Sequence, residues 1–477
     1  MTSPSQAATL PARRQFLQQT GLGFGAMALS CLLQEEGLSS TGRVMDLKPR
    51  QGHFPAQVKS VILLLQNGGP SQMDLFDPKP ELTKRHGEKV SHLTGGNADK
   101  PTTEPLMGSA FKFRPRGQVG VEFSELVPHL GSVVDDMCTI RSMYSTDPNH
   151  PGGIYMMCTC NRRPGRPTLG AWTTYALGTE NQNLPGYVVL RDPGAWHSGG
   201  AMQITNGWLP AVYRGTELKS EGDAVFNLNP ATARPAGVQE NNLRLLAKLN
   251  QRQRRRFPDE SVLDARVQNY ELAARMQLTA ADELDLSHET EETERLYGLD
   301  NEVSAGYGRR LLLARRLVER GVRFVQVLPP PPHILWDHHG SLNDRIPKVC
   351  AQIDQPSAGL IKDLKRRGLL DETLVIWTGE FGRTATSQGG TGRDHNPHGF
   401  TLLMAGGGLK RGHVHGATGD LGHTAVEGRM GVPDLFATVL YQLGLDHERV
   451  TYDVHGIEEN ATDSKVNKAR VFDELLA

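Results

Sequence analysis

The alternation of apolar runs and polar stretches sets in at Val58, where VKSVILLLQNGG runs to Gly69 with hardly a polar position after Ser60 and before Gln66. Consecutive apolar residues predict a strand buried on both faces, as in a parallel sheet, and the paired glycines predict a sharp turn after it. MCTIRSM, VRFVQVL, TLVIWTG and GFTLLMAGGGL have the same character. VRFVQVL follows RRLLLARRLVERG and TLVIWTG follows LIKDLKRRGLLDE, both of which read as helices. Helix, short turn, apolar strand, polar loop is the rhythm of α/β units. The expected fold class is therefore α/β, with a central, mostly parallel sheet flanked by helices. Between Ala233 and Asn301 the pattern turns polar and helical, which predicts a helical excursion from the sheet.

Charge removes one class of partner. Across 477 residues, 52 Lys and Arg stand against 53 Asp and Glu, so no general attraction to nucleic acid is expected. The one basic run, Arg252 to Phe257, reads as a solvated helix face. The amino-terminal stretch RRQFLQQTGLGFGAMALSCLL changes the picture more. Paired Arg13 and Arg14 ahead of a short Gly/Ala-rich segment read as a twin-arginine export signal, with the translocase as partner during export and a periplasmic or envelope location. A retained helix and lipid anchoring at Cys31 are the alternatives at this segment. Cys138, Cys158, Cys160 and Cys350 are too few and too scattered for a disulfide framework, and read as buried thiols. The chain thus divides into a signal segment over 1–33, a linker over 34–57 and an α/β domain over 58–477, with the excursion at about 233–301.

In a parallel sheet, ligands bind beyond the carboxyl ends of the strands, so chemistry is sought in the loops that follow them. Five such loops are rich in Asn, Asp, Glu and His. QNGGPSQMDLFDPKP holds Asn67 and Asp74; STDPNHPGG holds Thr146, Asp147, Asn149 and His150; LWDHHGSLND holds Asp337, His338, His339 and Asp344. WTGEFGRT holds Glu380 and Arg383, and GRDHNPHGF holds Asp394, His395 and His398. Mixed carboxylate and imidazole donors suit a divalent metal: zinc, manganese or calcium. Each residue also has a plain structural use. Thr146 can cap a turn, and Asp337 or Glu380 can form a buried ion pair with Arg383 or Arg393.

The order of VILLLQNGGPSQMDLFDPKP, NHPGG, RPGRPTLGAW, ENQNLPGYVVL, WDHHG, GEFGRT and GRDHNPHGFTLLMAGGG resembles DUF1501, a family of exported, sulfatase-like proteins in the alkaline phosphatase superfamily. The resemblance runs from about Val58 to the carboxyl terminus. It implies hydrolysis of phosphate or sulfate esters at a metal site. It also implies roles for single residues. Asn67, or Asp74 in its stead, takes the place of a metal-binding aspartate after the first strand, and Thr146 matches a threonine nucleophile. WDHH is similar to an aspartate and histidine ligand pair, Asp337 and His339. TGEFG stands where relatives carry SDHG, which puts Glu380 for a ligand aspartate and Phe381 for a ligand histidine. HNPHGF resembles the last histidine segment and favours His395 over His398. The cysteine or serine followed by Pro and Arg, needed for formylglycine, is absent around Thr146.

On this reading the metal ligands are drawn from Asn67, Asp74, Asp337, His339, Glu380, Asp394, His395 and His398. Thr146 is the nucleophile, and Asn67, Asn149 or Arg383 holds the non-bridging oxygens. The substrate is an anionic ester, a sulfated or phosphorylated small molecule or glycan. The competing expectation is a binding or scaffold protein at the envelope, built on a hydrolase fold that has exchanged some ligands.

Overall fold

In this computed structural model the described residues are 47–93, 101–192, 198–219, 238–256, 270, 272, 276, 284–330 and 335–477. The signal segment and Cys31 lie outside them, as does most of the predicted excursion beyond a helix over Val238–Arg256.

Among the described residues nine strands build the central sheet: β1 Ser60–Leu65, β2 Met137–Tyr144, β3 Tyr187–Leu190, β4 Thr216–Leu218, β5 Phe324–Val327, β6 Thr373–Thr378, β7 Phe400–Ala405, β8 His413–His415 and β9 Met430–Gly431. Their order is β8-β2-β7-β6-β1-β5-β3-β4, with β9 also paired to β2. β1 lies parallel to both β6 and β5, and β3 parallel to β5 and β4. Every residue of β1 and β6 is buried, which is why both read as unbroken apolar runs.

One strand breaks the parallel rule, and the site depends on it. β7 runs antiparallel to β6 on one side and β2 on the other. β2 therefore points the same way as β6, so its following loop reaches the edge where β1, β5 and β6 end. Because β7 is reversed, the loop that precedes it arrives at that same edge.

Helices α1 His150–Thr159, α2 Leu169–Leu177, α3 Glu302–Glu319, α4 Leu342–Arg366 and α5 Val432–Gln442 complete the layers. α4 buries Ile346, Val349, Ile353, Leu360 and Leu364, at the spacing of one helix face. It is tied to α3 by the buried Arg315, which lies 3.0 Å from Asp363 and 2.5 Å from Glu289. The segment ahead of β1 is pinned rather than loose: Thr179 N–H donates to the Leu47 carbonyl, and His53 and Gln57 N–H donate to the Gly444 and Gln442 carbonyls. Cys138, Cys158, Cys160 and Cys350 are buried free thiols. Among the described residues no helix is long and apolar enough to cross a membrane.

Candidate metal centre

Three loops at the shared edge bring His150, Asp337, His339 and His395 together, with one ligand atom of each lying within 4.8 Å of the others. Asp337 is the hub. Its Oδ1 is 2.9 Å from His339 Nε2, 3.2 Å from His395 Nε2, 3.3 Å from His150 Nε2 and 2.7 Å from Arg383 Nη2.

The outer nitrogens of the three imidazoles decide how the inner ones behave. His395 Nδ1 is 2.7 Å from the Pro148 carbonyl, an atom that only accepts, so Nδ1 carries the proton. His150 Nδ1 is 2.6 Å from Glu380 Oε1, and His339 Nδ1 contacts Gln388 Oε1; both are acceptors too. Each neutral imidazole is thereby fixed in the tautomer that leaves the Nε2 lone pair facing Asp337. His150 Nε2 is buried without a hydrogen-bond partner, and the Nε2 atoms of His339 and His395 face each other at 3.0 Å. Two lone pairs at that distance repel unless a proton or a cation lies between them. Backing each ligating imidazole with an outer acceptor is the usual architecture of histidine metal sites, and these residues fit a divalent ion.

Burial alone would raise the Asp337 carboxyl. The three imidazoles and the Arg383 guanidinium hold it well below the usual carboxylate range instead. Burial pushes the His150 imidazole down, but the close carboxylates of Asp337 and Glu380 outweigh it and hold it at about 9. His339 is raised by Asp337, whereas burial lowers His395. In the metal-free protein, His150 titrates near 6.5 when unfolded and near 9 when folded. It adds stability below about pH 6.5 that is lost as the pH rises through about 9. A metal needs the neutral ring, so the rise in Tm on adding zinc is expected to grow between those two pH values. Scanning calorimetry with and without zinc checks this; an increment that shrinks with pH contradicts it.

The helix that presents His150 is shaped by small residues. A Cβ on Gly152 would lie 2.2 Å from Asp147 Oδ2, and one on Gly153 would lie 3.1 Å from the Phe381 ring. The two glycines let the first turn of α1 settle onto the neighbouring loops. Phe381, at the position where the resemblance implies a ligand, packs its ring against His150 and His395, with centroids 5.1 and 4.6 Å apart.

The expected residues outside the cluster have other employment. Arg383 is corrected from an oxyanion holder to an internal tie. It is buried, with Nε donating to the Gly69 carbonyl, Nη1 to the Arg393 carbonyl, and Nη2 to the Gly68 and Trp336 carbonyls and to Asp337, so the guanidinium faces the protein rather than a substrate. Asp74 is corrected from ligand to ion pair: it is fully buried, with Oδ2 2.8 Å from Arg393 Nε. Glu380 stands behind the cluster, not in it, because both its oxygens accept the Gly68 N–H and Oε1 also meets His150. Asp394 Oδ1 accepts the His395 N–H and stays 3.8 Å from His339 Nδ1, on the outer side of that ring. His398 is exposed and faces His423, outside the ligand set. Asn67 is fully buried, and neither atom of its amide has a partner. Asn149 is exposed at the N-cap of α1. Thr146 is exposed too, on the loop that carries Pro148 and His150. His338, beside two ligands in the chain, is buried and pushed down to about 3 by that burial.

Three contributors carry weaker sequence signals. His150 lies in an expected loop, but its rank as a ligand follows only from the fold, which sets Nε2 3.3 Å from Asp337 Oδ1. Gln388 has no signal at all. Arg345, exposed on the first turn of α4, places Nη1 3.4 Å from the Asp337 carbonyl.

No curated protein matches the sequence. Among solved structures, the chain is similar to the lipoteichoic acid synthase LtaP from Listeria monocytogenes at 9% identity, covering 83% of this chain and 76% of that one, TM-score 0.37. It is similar to the PsFucS1 sulfatase from Pseudoalteromonas sp. at 15% identity, covering 83% and 69%, TM-score 0.36. It is also similar to alkaline phosphatase from the Antarctic bacterium TAB5 at 11% identity, covering 75% and 94%, TM-score 0.30. A family described as "Protein of unknown function (DUF1501)" matches residues 58–476, from just ahead of β1 to the penultimate residue, and the chain belongs to that family.

Proposed function

We propose that this chain is an exported metal-dependent hydrolase of phosphate or sulfate esters, with His150, Asp337, His339 and His395 as the ligands. One observation carries the reading: three imidazoles, each with Nδ1 fixed by an acceptor, direct Nε2 at one carboxylate oxygen. Three nitrogen donors and one oxygen suit zinc or manganese and disfavour calcium. The ion would supply Lewis-acid stabilisation of charge developing on the ester's oxygens.

The chain's own residues divide the remaining work. Glu380, Gln388 and the Pro148 carbonyl hold the Nδ1 protons in place, and Phe381 walls two of the rings from water. With Arg383 buried, the exposed Arg345 is a guanidinium able to meet an anionic group. Thr146 is the candidate nucleophile. Its hydroxyl would displace the alcohol to form a threonine ester, and water would then cleave that ester to restore the hydroxyl. Direct attack by water is the competing route.

The test is metal content by elemental analysis together with turnover of aryl phosphate and aryl sulfate esters. The purified protein is expected to hold near-stoichiometric zinc or manganese. Glu380→Gln is expected to weaken metal binding roughly 10–100-fold, since it removes the charge behind His150. Thr146→Ala abolishes turnover if the threonine attacks and spares it if water does. Metal-free protein, or a Glu380→Gln variant with unchanged affinity, would sink the proposal. The second reading, a binding or scaffold protein, is favoured by the engagement of Arg383, which removes the expected anion clamp. Stoichiometric metal with no turnover of either ester class would put it in front.

A further inference from the structure

On the His339 side of the cluster lies a groove of about 830 Å³, a size within the usual range for small-molecule sites. It shares its walls with the centre. Gln388, which fixes His339, sits between Ser387 and Gly390 of the groove lining, and Ser341 and Thr391 close it from the other loop. Those walls are held by backbone hydrogen bonds: Ser387 N–H donates to the Pro105 carbonyl at 2.8 Å, Leu342 N–H to the Thr391 carbonyl at 2.9 Å, and Ser341 N–H to Thr391 Oγ1 at 3.2 Å. A ligand seated there lies against the two segments that position one metal ligand.

The lining states what kind of ligand. Thr83, Ser109, Ser341, Ser387 and Thr391 bring hydroxyls and Asn343 brings an amide, while Leu106 and Met107 bring apolar surface. Neither Lys nor Arg lines the groove, and Asp344 adds a negative charge to its rim. His86, whose Nδ1 accepts the Gly108 N–H, is the lining side chain able to carry positive charge, and set against the Asp344 carboxylate it offers a polyanion no net counter-charge. A neutral, polyhydroxylated ligand finds donors and acceptors for its hydroxyls and apolar contact for its C–H faces.

We infer that this groove binds the uncharged saccharide part of the ester, so that the substrate is a sugar chain carrying an isolated phosphate or sulfate group. The inference rests on the hydrolase reading for the reaction, but binding alone can be measured without it. The experiment titrates the metal-loaded protein calorimetrically with unsubstituted trisaccharides of glucose, galactose, mannose and N-acetylglucosamine, and with a heparin fragment as polyanionic probe. Ala110, exposed at the groove, is replaced in Ala110→Trp to fill it. Asn343→Arg, on an exposed turn of α4, is the second variant should the first fail to fold.

At least one neutral trisaccharide is expected to bind. Ala110→Trp should weaken that binding about tenfold or more, with metal content unchanged. No neutral saccharide bound, equal binding by both variants, or tighter binding of the heparin fragment would each overturn the inference. Turnover of an aryl ester, too small to need the groove, keeps the two ideas apart. Aryl turnover without saccharide binding sinks only the groove, and saccharide binding lost in Ala110→Trp without any ester turnover sinks only the hydrolase.

Discussion

Asp337→Asn is expected to abolish metal binding and to lower the stability of the chelated protein by about 3 kcal/mol. The two losses come from different neighbours of one oxygen. Asp337 Oδ1 faces the Nε2 atoms of His150, His339 and His395, so an amide there removes the single anionic ligand from the set. The same oxygen is 2.7 Å from Arg383 Nη2, and the Arg383 side chain is only 1% exposed. Neutralising the carboxylate leaves that guanidinium charged, buried and without its counter-ion. His395→Ala separates the effects, because it removes a ligand while keeping the Asp337–Arg383 pair. That variant should lose metal yet unfold, once chelated, close to where the chelated parent does. Urea denaturation with zinc and with chelator measures both. Asp337→Asn protein that keeps stoichiometric metal would refute the ligand assignment, and unchanged chelated stability would refute the role given to the buried pair.

Much of this architecture is legible in the sequence because burial leaves a mark on neighbouring residues. β1 and β6 are enclosed on both faces, so SVILLL and TLVIWT read directly as sheet core. The loop after β5, a strand buried in the same way, inherits its significance from that placement, which is how Asp337 and His339 come into view. What stays hidden depends on partners far apart in the chain. Asp74 looks like a ligand until the fold sets Arg393 against it, a residue 319 positions away. Glu380 looks like a ligand until Gly68 N–H and His150, 312 and 230 positions distant, take its oxygens. His395 precedes its strand rather than following one, and only the reversed direction of β7 carries it to the common edge. Thr146 illustrates the opposite case. Its loop is where the pattern puts it, yet its exposure says nothing about attack, and chemistry alone can assign its role.

Arg383→Lys should fail to fold or lose upwards of about 4 kcal/mol, a larger loss than a substrate-binding arginine would suffer on the same change. The guanidinium joins three segments that otherwise meet through single backbone hydrogen bonds, Trp336 N–H to the Asn67 carbonyl and Arg393 N–H to the His338 carbonyl. It reaches Gly68 and Gly69 after β1, Trp336 and Asp337 after β5, and Arg393 ahead of β7. A lysine ammonium is a single point with three N–H groups and cannot span carbonyls set around a planar fork. Hydrogen bonds to a charged donor contribute about 1.5–3 kcal/mol each, so losing even two of them accounts for the expected drop. Arg345→Ala is the counterpart. Arg345 is exposed, so its removal should leave the denaturation midpoint in place and, if the proposed hydrolysis holds, raise KM for an aryl ester with kcat less affected. The pair of variants separates two ways of using an arginine at one site. If Arg383→Lys instead folds normally and only weakens substrate binding, its N–H groups must reach solvent during the reaction, and the loops it joins are held by something else.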